Sequence, residues 1–292
     1  METAKNDVLN VLMIGNSYCY YYVEELYELA KAAGIQMRVC NVYGDGCSLE
    51  KHYTWWKSGQ SNYQYFETFG PRKTKTDSVG LEWCLAQHNW DVISLQLGGN
   101  MMRKHTADQV LDLTREHRAQ LYGYLKKRFP NAKHYFQQTW TYEIGHTKQD
   151  GFVMQDLAQQ IAHTENVRQM GIGICRENQV DCINTGDAWE IYRAFCEHNG
   201  ISHNLCARLG KAKGDDPHGG DGTHDGDIGG GQYLNACVWF EILTGLDCRG
   251  NSYVPRYTYE GKEYGLIKGV NVSDLQNAAH QAVVQLQSRS LM

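Results

Sequence analysis

The feature that most constrains this chain is an alternation of short apolar runs with longer segments of helical periodicity. Residues 8–14, 36–43, 90–97, 133–138 and 179–184 are the strand candidates. Between them, Val23, Leu26, Ala30 and Ala33 recur at helical spacing, and Gly34 follows as a residue suited to a left-handed cap. Thr106 with Gln109 predicts a capping box for a helix carried by Val110, Leu113, Leu121 and Leu125 and stopped near Pro130. Further helices are predicted near residues 78–88, 154–178, 187–198 and 231–243. Strands joined by crossover helices must pair in parallel and be covered on both faces. The expectation is an α/β fold, a three-layer α/β/α sandwich with a flavodoxin-like five-stranded parallel sheet.

The chain of 292 residues is expected to form one domain, with 42% hydrophobic and 21% charged residues. Two regions interrupt the alternation. Residues 48–75 are an insertion dense in aromatics, with Tyr53, Trp55, Trp56, Tyr63, Tyr65, Phe66 and Phe69, which either pack on one another or offer flat surfaces to a ligand. Residues 251–292 read as a hairpin around Glu260-Gly261 followed by a helix opened by Ser273 with Gln276.

Lys and Arg number 28 against 33 Asp and Glu, a net charge of −5 that gives no basic stripe for phosphates, so no nucleic-acid partner is expected. No apolar run approaches the ~20 residues of a membrane helix, and the chain reads as soluble. The first residues show neither a basic head nor an apolar stretch; a periplasmic or secreted location fits if a signal segment has been removed. None of the ten cysteines forms a C-x-x-C pair, and Cys40 and Cys182 lie within strand-like runs, so most are expected to be small core residues.

Ligand sites in such sheets lie beyond the carboxyl ends of the strands. The first strand leads into Gly15-Asn16-Ser17, placing a hydroxyl at that edge; the same serine would also serve as a plain helix cap. After the second strand comes Gly44-Asp45-Gly46, a tight turn or a place for a backbone amide to meet a ligand. After the third comes Gly98-Gly99-Asn100, a turn former or a side-chain donor, with Gln96 four residues earlier. Late in the chain, Asp221-Gly222-Thr223-His224 supplies a carboxylate that can fix the tautomer of an imidazole base. Asp215, Asp216, His218, Asp225 and Asp227 crowd the same run, and a metal-dependent hydrolase using residues 215–227 competes with the serine reading. No H-E-x-x-H motif or Cys/His spacing supports zinc, and no metal or other cofactor is expected. Cys19 and Cys47 are alternative nucleophiles without a histidine close in sequence. The Gly-x-Ser-x-Gly elbow of α/β-hydrolases is not matched, because Cys19 stands where its last glycine belongs.

Gly15-Asn16-Ser17, Gly46, Gly98-x-Asn100 and Asp221-x-x-His224 resemble the four ordered blocks of the SGNH/GDSL hydrolase superfamily. More closely, residues 8–245 resemble an uncharacterised SGNH-like family common in gut Bacteroidetes. The shared stretches are Ile14 to Ser17, Gly46 to Glu50, Trp90 to Ile93, Thr139-Trp140 with Tyr142, and Cys237 to Glu241. The resemblance implies a serine hydrolase with Ser17 as nucleophile, His224 as base and Asp221 as its partner. It also implies an oxyanion hole from the amides of Ser17 and Gly46 with the side chain of Asn100. The usual Gly-Asp-Ser is here Gly-Asn-Ser, and the closer family often has Gln near the third strand's end, which makes Gln96 the alternative donor. The expected reaction is hydrolysis of small acyl esters, acetyl above all, on a small-molecule or carbohydrate alcohol, with Trp55, Trp56 and Trp140 as candidate contacts to substrate. The competing class is a catalytically silent carbohydrate-binding protein on the same fold.

Overall fold

The computed structural model describes residues 8–70, 73–97, 101–147, 151–209 and 226–290. Its centre is a seven-stranded sheet. Five strands are parallel: β1 (Leu9–Gly15), β2 (Met37–Tyr43), β5 (Val92–Gln96), β6 (Lys133–Gln138) and β7 (Asp181–Asn184). They lie in the order β2-β1-β5-β6-β7. This is the flavodoxin-like arrangement, and each strand falls within two or three residues of its expected bounds. The sheet is wider than expected, because the aromatic insertion is not a separate cluster. It supplies the short helix α2 (Leu49–Lys57) and two antiparallel strands, β3 (Tyr63–Thr68) and β4 (Lys73–Val79), added beyond β2. Tyr63 and Tyr65 alternate inward along β3 and join the main core. The outer strand β4 carries Lys73, Lys75 and Asp77, charges that discourage edge-to-edge pairing.

Side chains of β1 show why both faces are covered. Val11 and Met13 enter one core and Leu12 and Ile14 the other, all at most 1% exposed. The first core is closed by four helices: α1 (Val23–Ala32), α6 (Thr185–His198), α7 (Gly231–Thr244) and α8 (Val272–Ser290). The second is closed mainly by α3 (Leu81–Leu85), α4 (Ala107–Arg128) and α5 (Leu157–Asn178). Helix α7 is apolar around nearly its whole circumference, which matches its place between α1 and α8.

Local signals set most boundaries. Thr106 and Gln109 form the reciprocal capping box at the start of α4. Asp156 caps α5 by accepting from the Gln159 amide at 2.8 Å, so that helix begins three residues later than expected. The expected helix near residues 78–88 shrinks to one turn. The hairpin is present as β8 (Tyr257–Tyr259) and β9 (Lys262–Tyr264), turning through Glu260 and Gly261, both at positive φ. Helix α8 starts at Val272, two residues earlier than a cap at Ser273 suggests. Gln276 is drawn into the core instead of capping, and donates to the Tyr233 hydroxyl at 2.9 Å.

Candidate active site

The nucleophile candidate follows β1, the strand from which the crossovers depart in opposite directions, so it stands at the sheet's topological switch point. Asn16 caps a 3-10 turn, Ser17–Cys19, its Oδ1 accepting from the Tyr18 amide at 3.2 Å. Three buried amide side chains from three different strands hold this turn. Gln96 Oε1 on β5 accepts from the Asn16 amide at 3.0 Å. Asn41 Nδ2 on β2 donates to the Cys19 carbonyl at 2.6 Å, and Gln137 Nε2 on β6 donates to the Tyr18 carbonyl at 2.8 Å. The opposite ends, Asn41 Oδ1, Gln96 Nε2 and Gln137 Oε1, are buried and make no hydrogen bond with the described residues. Such unpaired atoms are unfavourable, and here they accompany a fixed backbone. Ser17 is the residue of the turn left partly exposed between buried Asn16 and Tyr18.

Gly15 is required by contact rather than by φ. A Cβ there would stand 2.5 Å from Gln96 Oε1 and 2.9 Å from Cys19 Sγ. The second loop is tied to the first. The Gly44 amide donates to the Gly15 carbonyl at 3.0 Å, and Asn16 Nδ2 donates to the Cys47 carbonyl at 3.1 Å. That last bond calls for Asn at this position, since a carboxylate would face the carbonyl with no proton to offer. Gly46 is exposed, with φ of 54°, and Ser48 then caps α2 by accepting from the Lys51 amide at 3.2 Å.

Gln96 is wholly buried and its Oε1 is engaged with the Asn16 backbone, so its place is under the turn rather than over the strand tip. Asn100, Asp221 and His224 lie outside the described residues. So do Asp215, Asp216, His218 and Asp225 of the acidic run. Asp227 Oδ1 accepts from the Leu209 and Ile228 amides at 3.1 and 2.6 Å, a loop-closing role. The chain on either side of residues 210–225 is held together. Gly229 and Gly231 donate to the Ala207 and Leu205 carbonyls at 3.0 and 3.2 Å. A Cβ on Gly226 would overlap the Leu205 carbonyl oxygen, so the glycine-rich stretch is a close backbone contact.

Of the tryptophans, Trp140 is 2% exposed, stacked at 4.9 Å on Trp189 and lying 4.9 Å from Tyr18, so it supports the nucleophile turn from within. Trp56 packs 4.5 Å from Tyr124 and donates from Nε1 to Glu82 at 3.0 Å. Trp55 is partly buried against Tyr63, 5.1 Å away, under the Gly44 turn. Burial pushes the Cys19 and Cys47 thiols up to about 12, the reverse of what a reactive thiolate needs. Among the described residues, two His/acid clusters have metal-like spacing, Cys40–Glu67–His88 and Glu241–Asp247–His280. Each already contains a guanidinium, Arg38 on Glu67 at 3.0 Å and Arg249 on Asp247 at 2.6 Å, so each reads as a charge-balanced ion pair.

Sequence reasoning passed over Asn41 and Gln137. The signal was present, since each is an uncharged amide at an inward position of a strand buried on both faces.

A family model described as "Domain of unknown function (DUF4886)" matches residues 10–177. Among solved structures, a DUF4886 family protein from Bacteroides uniformis superposes with a TM-score of 0.75 at 26% identity, over 95% of each chain. An acetyl xylan esterase superposes with a TM-score of 0.51 at 15% identity, over 80% of this chain and 100% of its own, a likeness of fold. No curated protein matches the sequence.

Proposed function

Since the chain belongs to the DUF4886 family and has the SGNH type of sandwich, we propose that it is a serine esterase cleaving small acyl esters, acetyl esters first. The observation that supports this most is the Ser17 turn, gripped by amides from β2, β5 and β6 while the serine side keeps access to solvent. A structural cap has no use for three buried amides aimed at its backbone; a nucleophile does, because the attacking oxygen must be held close to its reacting geometry.

In this reading Ser17 Oγ attacks the acyl carbon as His224 takes its proton. The amides of Ser17 and Gly46 and the side chain of Asn100 receive the negative charge that develops on the carbonyl oxygen. Asp221 keeps the imidazole in the tautomer that can accept and later return the proton. His224 protonates the leaving alcohol, and water activated by the same histidine releases the acid. The acetyl xylan esterase of like fold makes a carbohydrate alcohol the first class to try.

The test is hydrolysis of p-nitrophenyl acetate against longer acyl esters, then of acetylated xylan. Ser17→Ala is expected to lower kcat by ~10⁴-fold or more with an unchanged melting temperature. EDTA is expected to leave the parent's rate unaltered. Undiminished turnover in Ser17→Ala refutes the nucleophile, and loss on EDTA restored by a divalent ion transfers the chemistry to the Asp/His run.

A further inference from the structure

All ten cysteines lie among the described residues as free thiols, and eight of them are buried. The two that reach solvent, Cys175 and Cys182, are neighbours in space. Cys175 stands on the last turn of α5 and Cys182 in β7, and the chain between them turns back tightly. Gln179 takes the left-handed conformation there, with φ of 49°, and the Val180 amide donates to the Cys175 carbonyl at 3.1 Å. On β7, Ile183 enters the first core, so the alternation of the strand turns Cys182 to the other face. Phe136, its partner on β6, enters the second core, and the Cys175 side chain packs against that same core from α5.

Both residues line a cleft of about 740 Å³ bounded by α5, β7 and α8. Strand β7 is the outermost of the sheet on this side, so the cleft runs along an edge that no further strand covers. The charges in it are already paired, since Asp187 accepts from Arg168 at 2.8 Å and from Arg289 at 3.1 Å. The two thiols are the reactive groups that remain. The Cys182 thiol is held well above the ordinary range, by Cys175 beside it first and by burial second, with Asp187 adding to both. Its proton therefore stays in place, and Cys175 is the sulfur positioned to attack. A second pair, Cys237 and Cys248, also sets thiol against thiol, but both residues are 0% exposed within the first core. It is an internal control, with the same proximity and no access.

We propose that Cys175 and Cys182 are a thiol–disulfide exchange pair whose ligand is a small disulfide compound admitted by the cleft along β7. The Cys175 thiolate attacks one sulfur of that compound, forming a mixed disulfide and releasing the first thiolate. Cys182 then gives its proton to solvent, and its sulfur displaces the second thiolate from Cys175. The chain has lost two protons and two electrons; the compound, reduced to two thiols, has gained the electrons. The new bond ties the end of α5 to the outermost strand. No step involves Ser17, so the exchange stands apart from the esterase reading.

The test adds dithiobis(nitrobenzoate) to the reduced, folded full chain and reads the absorbance of released thiolate, the intact mass and a peptide map. The parent is expected to release two thiolates per chain and to end about 2 Da lighter than the reduced chain, with no nitrobenzoate retained. The map should join the peptides bearing Cys175 and Cys182. Cys182→Ala is expected to release one thiolate and keep one nitrobenzoate on Cys175, and Cys175→Ala to react at least tenfold more slowly than the parent. The parent's mass and map decide the matter even where a variant fails to fold. A folded parent that does not react, one that retains a nitrobenzoate on each cysteine, or a crosslink mapped to Cys237 and Cys248 overturns the proposal.

Discussion

The nucleophile turn and the tyrosine cleft, walled by Tyr20, Tyr21, Tyr253 and Tyr257, lie side by side, and both contain buried polar atoms. They differ in where those atoms stand. Under the turn, the unpaired ends belong to amides whose other ends grip the backbone of Asn16, Tyr18 and Cys19. By the cleft, Glu25 Oε2 and the Tyr257 hydroxyl are buried against each other. The first arrangement holds a backbone geometry; the second holds a carboxyl proton that a rise in pH removes. Reaction rate should therefore respond to the turn, and the pH dependence of stability to Glu25.

That division is open to attack at three points, the largest first. Asn100→Ala is expected to lower kcat by ~10²-fold to 10³-fold with little change in KM, because an oxyanion donor acts only as charge develops. If Gln96→Ala shows that kinetic pattern and Asn100→Ala matches the parent, Gln96 is a reacting group rather than a support. Next, Gln137→Met keeps the bulk but cannot donate to the Tyr18 carbonyl. It should lower kcat by roughly 10-fold with KM unmoved, and stability by ~1–3 kcal/mol for the carbonyl left unpaired. A rise in KM at constant kcat would place Gln137 in binding instead.

The smallest effect, taken per pH unit, concerns Glu25 and pH. Its folded-state carboxyl sits at about 8, above the unfolded value of 4.5, so between these limits the folded chain holds a proton the unfolded chain has lost. Stability then falls as pH rises through this window, by at most ~1.4 kcal/mol per unit. Glu25→Gln should melt like the parent near pH 4.5 and above it at pH 9. A constant difference between the two proteins across that range would mean that Glu25 ionises normally, and the contrast between turn and cleft would lose its second half.

How much of this was legible in the sequence depended on the period of each segment. The five parallel strands were readable because burial on both faces leaves apolar runs such as Val11 to Ile14. Strands β3 and β4 were missed because only one partner of the pair is apolar. Tyr63 and Tyr65 alternate inward, but Lys73 to Asp77 look like loop when their partner strand is unknown. For the site, Ser17 and Gly46 stood out as chemistry at strand ends. Asn41, Gln137 and Glu25 did not, because a buried polar residue gains meaning only from the backbone or cavity it faces.

The paired stretches on either side of residues 210–225 carry one more consequence. The Ala207–Gly229 and Leu205–Gly231 bonds bring the two ends together before the intervening chain is considered. Doubling the length of a loop whose ends already meet adds only ~0.6 kcal/mol of closure entropy. The chain on the two sides of residues 210–225 is thus closed on itself, so that a longer span between 209 and 226 would cost the fold little while the sheet and the glycine contact beneath stay as they are.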